Sequence, residues 1–568
     1  MKNARRRVVV FAPIAAVALA TGFAACGGGD GDASQFDAGG GPGSEAGDGT
    51  GGDVMFTTDS PVFGEGGLPT GPFTDFPATP ILDMPDGGVP DAGTSAPANS
   101  ATLFGPASQG AQAGGPCLVE PEIGSLYPQN WLRPRFHWIA ANGENLFEIR
   151  LHVANQTNDL VVYTTDVYWT MPKTMWTSLA MHSPDQAMTV SIRGGVLNGS
   201  MLTMEALGSS GGLGIAPVSA PGTIVYWTTS GGSSLKGFSI GDESVSVVMI
   251  PSQVTEETAT CIGCHTSTPD GDYAEFTTAG PWGNAIGSVQ TGMMGTPPPF
   301  LGSAGSAALE QAPRGISSTS KAHWASGDHI VVTTFNDSTL SWVDLEATTA
   351  GAATGVFART GDPNGGGAPT WSHDGNTIVY VSTNAIITGR LDNGPADLYS
   401  IPYADKAGGN ATPIPGASDP SLEEYYPIFS PDDAWLAFDS IPTNTQMYNQ
   451  PLAEVSVIPA AGGTATRLIA NDPPACTGKL SPGVTNSWPK WAPGATTASG
   501  GRTFYWIVFS STRDEMGNPQ LYVSPIVVDS TGMVTTYHAL YLWNQPSDEN
   551  NHTPAWDTFN IPPPPPPP

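Results

Sequence analysis

A short phrase of turn-forming residues followed by an apolar run recurs along the chain. Its clearest copies are Ser267-Thr268-Pro269-Asp270-Gly271 leading to Tyr273-Ala274-Glu275-Phe276, Trp371-Ser372-His373-Asp374-Gly375 leading to Ile378-Val379-Tyr380-Val381, and Ser430-Pro431-Asp432-Asp433 leading to Trp435-Leu436-Ala437-Phe438. Weaker copies start at Trp324 and Trp491. Pro or His ahead of Asp sets a tight turn, and the β-branched and aromatic residues after it favour extended backbone. Each phrase therefore encodes a strand end, a turn and a second strand. A third strand often follows, as in Asp397-Leu398-Tyr399-Ser400-Ile401 and Gln520-Leu521-Tyr522-Val523. Units spaced about 40 to 60 residues apart predict a β-propeller, with one four-stranded sheet per repeat.

These phrases, with Ser510-Ser511-Thr512-Arg513-Asp514 ahead of the Gln520 strand, resemble the TolB-type β-propeller repeat from about Gly222 onward. The phrases supply five blades. A sixth can be assembled from Ile224 to Trp227 and Leu235 to Ile240 joined to the C-terminal Thr553-Pro554-Ala555-Trp556, which would close the ring and remove its edges. The expected fold is thus all-β, with a six-bladed propeller over residues 222–560. The composition agrees: 70 Gly, 54 Pro and only 12% charged residues favour turn-rich β structure over long helices. The Pro run in 561–568 is expected as a polyproline II tail.

Upstream, Phe147, Ile149, Leu151 and Val153 alternate with Glu148, Arg150 and His152, the period of a half-buried strand. Further strands are expected at Arg135 to Ile139, Leu160 to Thr165 and Met188 to Arg193. The stretch Tyr127-Pro128, Trp131, Pro134, Phe136, Trp138 resembles the opening of a fibronectin type III-like module, which implies a β-sandwich over 116–215. His137, His152 and His182 fall among its strands and loops, where surface or packing roles are expected.

Residues 26–115 are dominated by Gly, Ala, Asp, Pro and Ser and are expected to be a disordered tether. Residues 1–25 read as a signal peptide: Lys2, Arg5, Arg6 and Arg7 precede an apolar run ending in small residues. Phe23-Ala24-Ala25-Cys26 resembles the lipobox of bacterial lipoproteins, with Cys26 as the lipidated residue, although Phe23 stands where Leu is usual. The protein is therefore expected to be exported and held at the cell envelope by a lipid anchor, on the periplasmic or outer-membrane side.

The formal net charge is −31, and no Lys or Arg occurs between Arg7 and Arg133. Such a surface repels polyanions and excludes nucleic acid as a partner. An oxidising compartment would allow Cys117 and Cys476 to pair, but sequence does not show that they meet.

One segment carries chemistry: Cys261-Ile262-Gly263-Cys264-His265. Two thiols two residues apart can add to the vinyl groups of one porphyrin edge, and the next imidazole can ligate the iron. The segment predicts one covalent haem c, with Cys261 and Cys264 as thioethers and His265 as proximal ligand, at the entrance to a blade. The competing reading is a disulfide or redox pair followed by an incidental His. The flanks Thr258-Ala259-Thr260 and the strand-turn-strand phrase do not suit the helix start of a thioredoxin-like site. No second ligand pair for zinc is evident.

The Gly/Ala/Pro-rich segment from Ala279 to Ser318 is expected as a lid over the haem, with Met293 or Met294 as distal ligand. For each Met taken alone, filling an apolar contact in a long loop is the stronger expectation, and His323 and His329 are the alternative ligands. No catalytic set emerges: the Asp-Gly pairs are turn residues, and Glu423-Glu424 is expected in a solvated loop. The leading expectation is an electron carrier that exchanges electrons with a redox partner or envelope complex. The alternatives are a TolB-like protein- or glycan-binding scaffold, with haem structural or absent, and a peroxidase-like haem enzyme using an open iron position.

Overall fold

The computed structural model describes residues 70–83, 96–255, 259–278, 283–312, 317–335, 338–383, 395–443, 445, 447 and 449–563. The signal peptide, Cys26 and the last residues of the Pro-rich tail lie outside them. Strands dominate, and no helix among the described residues is long and apolar enough to cross a membrane.

Residues 223–557 fold mainly as successive antiparallel sheets, the organisation of a β-propeller, with one small parallel pairing, Ala358–Thr360 beside Gly408–Asn410, outside that pattern. The first sheet runs Ser246–Met249, Ser234–Ser239, Thr223–Thr228, Asn551–Asp557, so the C-terminal strand completes it from inside, with Trp556 opposite Ile224. Five further sheets follow in chain order, opening with Ile262–Ser267, Ile330–Thr334, Gly365–Trp371, Leu422–Phe429 and Ser487–Trp491. The third departs from the repeat. At the weak Trp324 phrase its innermost pairing shrinks to a bridge between Ser318 and Val332, and a short helix, Lys321–Ala325, takes the place of the strand end.

The physical reason for the recurring phrase is a hydrogen-bonded turn. Ser430 Oγ donates to Asp432 Oδ1 (2.7 Å) and accepts from the Trp435 N–H (2.9 Å). Ser372 does the same with Asp374 (2.6 Å) and Thr377 (3.0 Å), and Thr268 with Asp270 (2.5 Å) and Tyr273 (3.2 Å). The other Asp oxygen then reaches a neighbouring sheet: Trp324 Nε1 donates to Asp270 (2.8 Å) and the Tyr505 hydroxyl to Asp432 (2.7 Å). One carboxylate thus closes its own turn and fastens the next sheet. Gly271 allows the chain's last segment to dock, because a Cβ there would lie 1.8 Å from the Thr558 carbonyl oxygen.

Upstream lie two sheets sharing an apolar layer. Cys117–Glu120, Arg135–Ile139 and Tyr168–Thr170 form one; Leu146–Val153, Leu160–Thr164, Met188–Asn198 and Met201–Ile215 form the body of the other. Trp138 meets Phe147 edge-on between them at 5.3 Å. The strand starting at Met188 runs past the expected Arg193 into a hairpin that the Gly-rich sequence concealed. Gly208 is required there by close approach, since its Cβ would lie 1.8 Å from the Pro116 carbonyl oxygen. Glu148 and Arg193 are buried together with bonds of 3.0 and 2.8 Å.

Part of the expected tether is ordered. Ile81–Leu82 pairs in parallel with Leu160–Thr164, and Phe76 and Phe104 are buried, Phe104 beneath the Arg193 guanidinium. Single aromatics in a low-complexity stretch found a folded surface to enter, which composition could not reveal. His152 is exposed and pairs with Asp159, and His182 stacks on Phe73 and bonds Asp75.

The upstream sheets and the propeller share one core, in which Trp131, Trp176, Tyr226, Trp506 and Trp556 are all buried. A disulfide, Cys117–Cys476, crosses the joint. Beside it, the buried Arg513 donates to the Asn486 side chain (2.8 Å) and lies 3.7 Å from Glu122, which also bonds His538 (3.0 Å).

Candidate functional site

The innermost strands of four sheets carry the same irregularity. Ala368, Tyr426, Trp488 and Thr553 all adopt positive φ (40° to 56°), each just before a proline, and each strand's register shifts there. Proline disfavours the α region in the residue before it and cannot donate to the ladder. The bulge turns these side chains toward the ring axis. Two adjoining cavities result, and every sheet contributes to the larger, through Thr266, Ser318, Thr370, Phe429, Lys490 and Ala555. Together they are the central channel.

Gly263-Cys264 occupies the matching place in the second sheet, inside the register shift between Ile262 and His265. The expected blade-entrance loop is therefore a strand, Ile262–Ser267, in the channel wall. Cys261 is buried among Trp227, Val225 and Phe276. Cys264 carries the free thiol, and burial pushes its pKa up to about 11. His265 is buried, with Nε2 3.1 Å from the Val225 carbonyl and Nδ1 without a partner; burial holds its pKa down to about 4. Glu275, across the same cavity, is raised to about 7 by burial.

These residues do not fit a haem in this geometry. The cavity beside Cys264 and His265 has a volume of about 30 Å³, room for a water and far less than a macrocycle needs. The Val225 carbonyl occupies one imidazole nitrogen. The distal candidates are elsewhere: Met293 is half exposed, Met294 lies against Gln253, and neither lines the cavity. No lid covers it. Part of that segment forms Asn284–Ser288, the third strand of the second sheet, and Ser303–Gln311, a helix packed on the third. His323 and His329 pair with Asp328 (2.7 Å) and Glu346 (3.0 Å), and neither lines the cavity. Glu423 and Glu424, expected in a solvated loop, are buried in the strand Leu422–Phe429; burial raises Glu424 to about 8.

No family model matches the chain, and no curated protein matches it in sequence. Structural similarity extends to a protein described as TolB from Agrobacterium tumefaciens, at 16% identity, over 59% of this chain and 98% of that one, with a TM-score of 0.32. It extends also to the hydrazine synthase of Kuenenia stuttgartiensis, at 11% identity, over 53% of this chain and 88% of that one, with a TM-score of 0.28. An ancestral GH74 enzyme is similar at 14% identity, over 58% of this chain and 40% of that one, with a TM-score of 0.33. Likenesses this distant carry no statement about activity.

A third cavity, of about 410 Å³, lies where the upstream sheets meet the propeller. Its walls include Glu120, Arg135, His137, Tyr168, Tyr522 and Tyr541. Arg135 donates twice to Glu120 (2.7 and 2.9 Å) and lies over the Tyr541 ring at 5.6 Å. Burial, outweighing Arg135, raises Glu120 to about 7. Asp514 also lines the cavity, and its buried Oδ1 has no hydrogen-bond partner. Sequence reasoning missed this site because its walls come from both halves of the chain.

Proposed function

We propose that the protein is an exported binding scaffold: a six-bladed propeller locked to a fibronectin type III-like β-sandwich, taking a glycan in the cavity at their joint. The cavity carries this reading. It combines tyrosine rings, which stack on sugar faces, with carboxyl and guanidinium groups, which bond hydroxyls. The cross-joint disulfide and shared core support a preformed site. A panel of envelope-derived oligosaccharides, read by calorimetry, tests it. One class should bind, and Tyr168→Ala, at an exposed rim position, should weaken it about tenfold, a loss of ~1.4 kcal/mol. Absence of saccharide binding, or indifference to Tyr168→Ala, would overturn it. Lipidation at Cys26 belongs to the same proposal, and intact mass of the membrane-extracted protein tests it.

A second reading keeps Cys261, Cys264 and His265 as a haem c site in an electron carrier, favoured by the motif and by the unpartnered Nδ1 of His265. It requires the channel to open. The reduced-haemochrome spectrum of protein matured with a c-type assembly system decides it: covalent haem lost in Cys261→Ala supports it, and its absence from the wild type ends it.

A further inference from the structure

The larger channel cavity, of about 110 Å³, has a charge balance unlike the rest of the molecule. The chain has 51 Asp and Glu against 20 Lys and Arg, and every described arginine sits within 4 Å of a carboxylate. Yet Lys490 and Lys321 both line this cavity and neither has an ion-pair partner among the described residues. Opposing them is one carboxylate, Asp557, already bonded by the Ser267 hydroxyl. With His373 paired to Asp433, the cavity keeps one cation in excess.

A second observation points the same way. Thr370 is 1% exposed, lines the cavity, and its hydroxyl has no hydrogen-bond partner. Burying a hydroxyl without a partner is unfavourable, so this one is placed to bond a molecule held in the cavity. Around Thr370 and Lys490 stand Trp371, Phe429 and Trp491.

We propose that this part of the channel binds a small organic monocarboxylate. The lysine ammonium groups and the Thr370 hydroxyl would hold the carboxylate, and the aromatic walls would cover a short apolar chain. A single excess positive charge beside Asp557 disfavours a dianion, and the apolar walls disfavour a compact inorganic anion. The space suits a molecule the volume of three or four waters, at roughly 30 Å³ each. The carboxylate can come from a free short-chain acid or from the C-terminus of a peptide.

The test uses the mature protein, with ligand NMR reading binding of butyrate, of uncharged butyramide, and of a dipeptide with a free or amidated C-terminus. Butyrate should bind at least tenfold more tightly than butyramide, and Lys490→Gln should abolish the difference. Thr370→Val, which preserves shape, should weaken butyrate several-fold and serves if Lys490→Gln does not fold. A free acid as source predicts that butyrate outbinds both dipeptides; a peptide terminus predicts that the free-carboxylate dipeptide binds best and its amide not at all. Equal binding of butyrate and butyramide, or butyrate binding unchanged in both variants, would overturn the proposal.

Discussion

Cys117 is bonded to Cys476 across 359 residues of sequence, with Cα atoms 5.6 Å apart. The bond ties the strand Cys117–Glu120 of the upstream sheets to a loop between the fifth and sixth propeller sheets, at the edge of the 410 Å³ cavity. A crosslink of such span removes much conformational freedom from the unfolded chain. Replacing both cysteines by serine should lower stability by about 2–4 kcal/mol. Calorimetry should show the upstream sheets melting earlier than the propeller, and reductant should do the same to the wild type.

Ring closure depends on the strand Asn551–Asp557 beside Thr223–Thr228. Ending the chain at residue 550 would expose an apolar strand edge and remove the burial of Trp556. The truncated protein should aggregate or lose its cooperative transition, and size exclusion with thermal melts will show it.

Asp439 is 1% exposed, and burial raises its pKa to about 8 from the usual carboxylate range near 4. The folded protein thus holds this proton more tightly than the unfolded chain, and the contribution is full below the unfolded value. It is lost progressively as pH rises from about 4 to about 8. Asp439→Asn removes the penalty. In urea titrations the variant should gain on the wild type at pH 8.5, and the gap should narrow towards pH 5.

The turn hydroxyl of Ser430 serves two hydrogen bonds, to Asp432 and from Trp435. Ser430→Ala should cost about 1–2 kcal/mol, since each such bond contributes about 1 kcal/mol net. Ser372→Ala should behave alike, because the turn is the same. Denaturant midpoints compare them directly.

Arg193 and Glu148 are both buried and joined by two hydrogen bonds. Arg193→Met alone removes the closest cation from the buried Glu148, leaving it the Tyr163 hydroxyl at 2.9 Å and Arg150 at 3.8 Å, and should cost about 3–5 kcal/mol. The double substitution with Glu148→Leu should recover only part of that loss, because Arg193 also donates to the Phe104, Pro106 and Gln109 carbonyls; equilibrium unfolding will measure it.

The repeating turns, the strands at Arg135–Ile139 and Leu146–Val153, and the contribution of the C-terminal strand were legible in the sequence, because period-two alternation and Asp-Gly turns are local properties. The channel had a legible sign too: X-Pro at Ala368, Tyr426, Trp488 and Thr553 recurs at one place in four inner strands, and Cys264 stands where Pro does in the others. Reading Cys264-His265 as a loop overlooked that alignment.

The sequence alone determined which residues form strands and turns, and that a Cys-x-x-Cys-His segment exists, for these depend on neighbours in the chain. Only the tertiary structure decided that Cys264 and His265 face a channel of water-sized room, that Phe76 and Phe104 are buried, and that Lys490 lies in the channel with Thr370. Burial, cavity size and charge balance are set by strands hundreds of residues apart, and a linear pattern does not encode the space between them.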